Sequence, residues 1–273
     1  MTIAAIHGHD AVPLRWRGNR LDIRLEDEGR PVLTHGIVKE FRTLQTGFAE
    51  EPEKSPHWLV VSSGHGENSC YQADHDLLFE CVRTGDRERL HDYAHDCMDM
   101  LLDNMRGQSA DVITIGIVDG DAWGIGFENA MSFDYLVATT RSRFGFPDSE
   151  FGLFPGMGAQ MFLSRKIGMS AAKRMIDEGR LHDADEMAEH GIVTHRCEHD
   201  RIEETVSRII ERSSPRRTSI LAARRAMTMA CPMSESRLRD IVDIWVDNAM
   251  RTPQSEIDRM EERSSTDRHP PGA

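Results

Sequence analysis

Several protein classes are excluded by what this chain of 273 residues lacks. It contains no run of about eighteen consecutive apolar residues, so no membrane insertion is expected. The opening stretch, MTIAAIHGHDAVPLRWRGNR, has no apolar segment of signal-peptide length, and a cytoplasmic protein is expected. Cysteines are few, odd in number and widely spaced (Cys70, Cys81, Cys97, Cys197, Cys231), with no C-x-x-C pair. That pattern predicts reduced thiols rather than a disulfide framework. Basic residues are outnumbered 33 to 46, and the net charge of −13 disfavours nucleic acid as a partner. There is no G-K-[ST] for a P-loop and no G-x-S-x-G hydrolase elbow. Gly124-x-Gly126 is followed by Asn129 where a dinucleotide fingerprint wants Gly or Ala, and no acidic residue ends a following strand in the expected βαβ context, so a nucleotide site is disfavoured as well.

What is present concentrates in residues 112–159. A β-rich apolar run leads to a turn containing Gly120, Gly124 and Gly126, then to a segment able to start a helix with Glu128 in its first turns. A strand feeding a glycine-opened helix aims backbone N–H groups at one point, where they stabilise an anion. A second apolar strand, residues 135–138, returns the chain to a loop bearing Asp148, twenty positions after Glu128. Two acids delivered to one site suit proton abstraction at one carbon and proton donation at its neighbour. Glu128 could instead only complement a helix dipole, but Phe127, Ala130 and Met131 predict burial, where an ionised carboxylate is expensive without purpose. Asp148 follows Pro147 and has a turn reading as its alternative; Glu150 on the same loop is its substitute.

The order G-(x)3-G-x-G-F-E, the twenty-residue gap to a second acid, and then LFPGMGA resemble the crotonase (enoyl-CoA hydratase/isomerase) superfamily. Within it the chain looks most like the diffusible signal factor synthases, through LLFECVRTGDRERLHDYAHDC, LFPGMGA and IWVDNAM. The resemblance spans roughly residues 59–260. It implies an α/β fold, a crotonase-like ββα superhelix with a C-terminal helical trimerisation region, assembled as a homo-trimer or hexamer. It implies catalytic roles for Glu128 and Asp148, an oxyanion hole made by the N–H groups of His75 and Ile125, and substrate contacts from Gly124, Gly126 and Trp245. No cofactor and no metal are implied; the substrate arrives on CoA or on acyl carrier protein. Signal synthases dehydrate 3-hydroxyacyl thioesters and release a free 2-enoic acid. A CoA-dependent hydratase or isomerase is the alternative activity, and a catalytically weakened binding subunit the alternative of another class.

Three positions depart from the pattern: Asp74-His75-Asp76 replaces the usual small residues before the first oxyanion donor, Ile125 replaces a middle glycine, and Asp148 stands where these enzymes carry Glu. Asp74 would oppose a developing negative charge unless turned away or neutralised. Asp148 sets its carboxylate about 1 Å further back than Glu would.

The expected division is a loosely attached segment at 1–20, a core at 21–197, a helical region at 198–263 and a disordered tail at 264–273. Residues 21–25 and 57–64 read as strands, residues 32–41 as strand or helix, and residues 45–56 as a loop leading to the second of those strands. Helices are expected over 77–83 and 87–104, separated by Gly85 and Asp86, then over 158–167, 170–178 with a Ser170 cap, 184–190, 202–212, 220–230 and 235–262, with an edge strand at 192–195. His91 and His95 lie one helical turn apart without a recognisable third ligand and read as a solvated or structurally bonded pair; His7 and His9 carry less signal. Arg165, Lys166, Lys173 and Arg174 are the candidate docking patch for an acidic carrier protein.

Overall fold

The computed structural model describes residues 12–26, 30–63, 70–106 and 111–268, the last five by backbone only. Six strands form the main sheet. β1 (Leu14–Arg17) and β2 (Arg20–Arg24) make an antiparallel hairpin around Gly18, whose φ of +61° suits a residue without Cβ. β4 (Trp58–Ser62), β6 (Ile113–Val118), β8 (Tyr135–Thr139) and β11 (His195–Cys197) continue the sheet in parallel, in the order β1-β2-β4-β6-β8-β11. A two-stranded pair joins β3 (Val32–Leu33) to β5 (Gln72–Ala73). A smaller sheet has β9 (Arg143–Gly145) between β7 (Asp121–Trp123) and β10 (Leu181–Asp183).

The uninterrupted apolar reading of β4 follows from burial on both faces, because side chains alternate along a strand. Leu59 and Val61 enter the larger core, while Trp58 and Val60 join a second cluster with Val206, Ile209 and Leu221. α1 (His35–Glu50) and α3 (Arg87–Met105) cover the larger core. Val206 and Ile209 belong to α8 (Ile202–Ser213) and Leu221 to α9 (Arg217–Ala230). α2 (His75–Thr84) ends on Gly85 at φ +73°, and Asp86 caps α3 by accepting the Arg89 N–H, as expected.

Four expectations need correction. Residues 45–50 are not a loop but the last turns of α1: Phe41, Leu44 and Phe48 lie at helical spacing and are fully buried, each stabilising the fold by about 1.5–3 kcal/mol. Gln45 tolerates burial because its amide donates to the Met100 carbonyl and to Asn104. Ser170 is not a cap; the helix containing it, α6 (Met169–Glu178), is preceded by Gly168. The edge strand falls at β11, a few residues later than 192–195. The single helix expected over 235–262 is two, α10 (Glu235–Ala249) and α11 (Gln254–Arg268), because Pro253 has no N–H to continue the ladder.

The terminal segments also differ from expectation. Residues 14–17 belong to the sheet rather than to a loose lead-in, and α11 carries backbone helix to Arg268. Residues 1–11, with His7 and His9, and residues 269–273 lie outside the described residues. No helix among the described residues is long and apolar enough to cross a membrane.

Candidate active site

The site is built where the small sheet meets two short helical segments. α4 (Ile125–Met131) begins at Gly124, whose φ of +56° and ψ of −129° belong to glycine. The Gly124 N–H donates to the Gly145 carbonyl at 3.0 Å, tying the start of α4 to the end of β9. The next residues form a 3-10 turn, Pro147–Phe151, that carries Asp148. One backbone hydrogen bond thus fixes both acid-bearing segments relative to each other. A Cβ on Gly124 would lie 2.6 Å from Asp148 Oδ2, so the missing side chain is what lets the shorter acid reach the site.

Glu128 is 1% exposed. Its Oε1 accepts the backbone N–H groups of Met157 at 2.9 Å and Ala159 at 2.8 Å, at the head of α5 (Ala159–Ile167). Burial pushes its carboxyl up to about 8, the Asp148 charge adding to the rise and the two N–H donors opposing it. Asp148 is half-buried and pushed up to about 6 by desolvation, partly offset by the charge of Arg263. The pair titrates as a unit with Glu128 the higher member, so near neutral pH it carries about one proton and one negative charge.

Both acids line one cavity of about 40 Å³ together with His75, Ile125 and Gly124. Space of that size admits only a few water molecules. Its apolar wall comes from Leu78, Leu153, Met157, Trp245 and Met260. Trp245 was expected at the substrate, and its indole packs so closely on Gly156 that a Cβ there would sit 2.2 Å from the ring. Gly126 is not among the lining residues. A Cβ on it would stand 2.5 Å from the Cys70 carbonyl oxygen, so this glycine lets the backbone before β5 press against α4 and brings His75 beside Ile125.

His75 is the first residue of α2, with its ring against Phe79 and Trp123 at centroid distances of 5.8 and 5.6 Å. Residues 64–69, part of the loop expected to lead to it, lie outside the described residues. Asp74 is turned toward its own helix: its carboxylate accepts the Leu77 N–H at 3.0 Å, and its N–H donates to the Tyr93 hydroxyl. Burial raises its pKa, partly offset by the Leu77 N–H that it accepts. Glu150, the substitute acid, is exposed and paired with Arg263 at 2.7 Å.

Met260, Leu78 and Tyr93 were not singled out from sequence. Met260 and Leu78 look like ordinary members of apolar helix stripes, and only tertiary packing brings them to the cavity. Tyr93, which also donates to the Leu33 carbonyl, supports the Asp74 turn and lines the same wall.

A family model described as enoyl-CoA hydratase/isomerase matches residues 86–259. A probable mitochondrial enoyl-CoA hydratase 2 of Arabidopsis thaliana is 30% identical over 166 residues, covering 60% of this chain and 53% of that protein. A short-chain-enoyl-CoA hydratase of Clostridioides difficile is 36% identical over 97 residues, covering 36% of this chain and 62% of that protein. The matched stretches cover 34% of a Rhizobium meliloti relative and 53% and 62% of these two, so the chain spans less than two thirds of their lengths. The crystal structure of an enoyl-CoA hydratase from Bacillus halodurans superposes with a TM-score of 0.81 at 20% identity, over 92% of this chain and all of that one. The expected crotonase-type fold, a mostly parallel sheet followed by a helical C-terminal region, is therefore the fold observed. With a model matched over more than half of its length, the chain belongs to the enoyl-CoA hydratase/isomerase family.

Proposed function

We propose that this chain catalyses reversible addition and elimination of water across C2–C3 of an acyl thioester, with no cofactor beyond the thioester's own carrier. The observation that carries this reading is the pair Glu128 and Asp148 sharing one cavity with the His75 and Ile125 backbone. In the elimination direction Asp148, the lower member of the pair, takes the C2 proton. Charge moves to the C1 oxygen, held by the N–H groups of His75 and Ile125. Glu128, protonated near neutral pH, gives its proton to the C3 hydroxyl, which leaves as water. Hydration is the reverse, with one water activated between the same groups.

The relatives are named for enoyl-CoA, which makes CoA thioesters the first substrates of this proposal. A second reading, release of a free 2-enoic acid from carrier protein in the manner of the signal synthases, rests on the resemblance of the IWVDNAM segment to that subgroup. Trp245, from the IWVDNAM segment, and Met260 both reach the cavity. For that reading Arg165, Lys166, Lys173 and Arg174 on α5 and α6 are the docking patch, although Lys173 is already paired with Asp177. Exposure of Met169, Met227, Met229 and Ile244, from 60% to 83%, supports assembly into a trimer or hexamer, which sedimentation velocity measures.

The deciding experiment incubates the purified protein with matched 3-hydroxyacyl thioesters of CoA and of carrier protein and identifies the products by mass spectrometry. An enoyl thioester is the expected product, and a free 2-enoic acid establishes the second reading. No turnover of either, with an intact oligomer, rejects both and favours a binding subunit.

A further inference from the structure

Away from the cavity, α3 presents His91 and His95 one helical turn apart, and α10 places Asp243 opposite them. The carboxylate oxygen Asp243 Oδ1 lies 2.8 Å from His95 Nε2 and 3.4 Å from His91 Nε2, and the three ligand atoms fall within 4.8 Å of one another. Zinc–nitrogen and zinc–oxygen bonds of about 2.0–2.2 Å at tetrahedral angles place neighbouring ligands about 3.3 Å apart, close to the His91–Asp243 separation, while the 2.8 Å contact of His95 is a hydrogen bond that a bound cation replaces. The side chains are 35%, 14% and 47% exposed, so the site has an entry path from solvent and room for a water as fourth ligand.

The other ring nitrogens face Asp92 and Arg239. His91 Nδ1 lies 3.4 Å from Asp92 Oδ1, the carboxylate–histidine arrangement that orients a metal ligand. The opposing group is Arg239, whose Nη1 lies 3.4 Å from His95 Nδ1. Its charge is already matched by Asp99 at 2.8 Å and Glu235 at 2.9 Å, and the long contact to His95 is the weakest of the three. We propose that His91, His95 and Asp243 bind a divalent transition-metal cation of the zinc class, clasping α3 to α10. Two imidazoles and one carboxylate select such cations over calcium or magnesium, which take oxygen ligands. Trp245, which walls the cavity, lies two residues beyond Asp243 on α10, so a bound cation also steadies the element that closes the site.

The inference does not depend on the proposed reaction and is read without activity. Full-length protein stripped with a chelator is titrated with zinc chloride in a calorimeter, and with cobalt chloride by visible absorption. One saturable zinc equivalent per chain is expected, with cobalt d–d bands. His91→Ala, His95→Ala and Asp243→Asn should each weaken zinc binding on the order of tenfold or more. Zinc should raise the melting temperature of the parent protein and not that of the His91→Ala/His95→Ala variant. Circular dichroism checks that these substitutions leave the fold intact. Absence of saturable binding, or equal binding by the parent and the double variant, overturns the proposal.

Discussion

Replacing Glu128 by Gln separates the role of this residue in chemistry from its effect on stability, and the two should move in opposite directions. The amide oxygen of Gln keeps the hydrogen bonds from the Met157 and Ala159 N–H groups, so the local backbone has no reason to move. What disappears is the proton. A positioned acid or base contributes about 10²–10⁴-fold to rate, and water addition to an enoyl thioester should fall by that factor. Stability should rise at alkaline pH. The folded-state pKa of Glu128 stands at about 8 against 4.5 for the free group, so the folded state binds the extra proton between those values and the parent protein loses stability as pH climbs through that window. The full shift corresponds to about 5 kcal/mol, an upper bound because the neighbouring Asp148 titrates with it. Gln is neutral throughout and loses none of this. Urea denaturation of both proteins at pH 5 and pH 8 reads the effect as a gap that widens in favour of the variant. Turnover within tenfold of the parent, or a stability gap that does not change with pH, refutes the reasoning.

Three further outcomes follow from the same geometry. The pH profile of kcat/KM for dehydration of a 3-hydroxyacyl thioester should be bell-shaped, falling below about 6 as Asp148 gains a proton and above about 8 as Glu128 loses one; a flat profile from pH 5 to 9 contradicts the division of labour. Gly124→Ala places a methyl at φ +56° and 2.6 Å from Asp148 Oδ2, so it should lower stability by about 1–3 kcal/mol and cut kcat by displacing the acid; chemical denaturation and steady-state kinetics test both. Trp245→Ala should shift preference toward longer or bulkier acyl groups by opening the wall over Gly156, seen as a changed ratio of kcat/KM across a chain-length series.

The sequence carried the site more clearly than the periphery. Gly124, Glu128 and Asp148 are legible because a backbone at positive φ, a buried acid and a proline-led turn each restrict which residues fit. Gly126 was legible as special, but its reason was not: the close approach of the Cys70 carbonyl depends on a loop distant in sequence. The polar look of residues 45–56 hid the end of α1, because the Gln45 amide nitrogen donates to Asn104 and to the Met100 carbonyl, groups that lie far from it in sequence. Pro253 is a stop signal visible in the sequence inside the expected long helix, while apolar residues at helical spacing from Leu238 to Met250 favour continuing it. Asp74 looked opposed to an oxyanion until the structure turned it onto the Leu77 N–H as a helix cap. His91 and His95 lacked a third ligand in sequence, since Asp243 stands about 150 positions away and meets them only through the packing of α10 on α3.

The most direct test runs the reaction in H₂¹⁸O with a 2-enoyl-CoA thioester and locates the label by mass spectrometry. Label in a new hydroxyl at C3 with the thioester intact, abolished in both Glu128→Gln and Asp148→Asn, is the predicted result. Label appearing only in a free carboxylate, or incorporation at C3 that survives loss of either acid, would contradict the account.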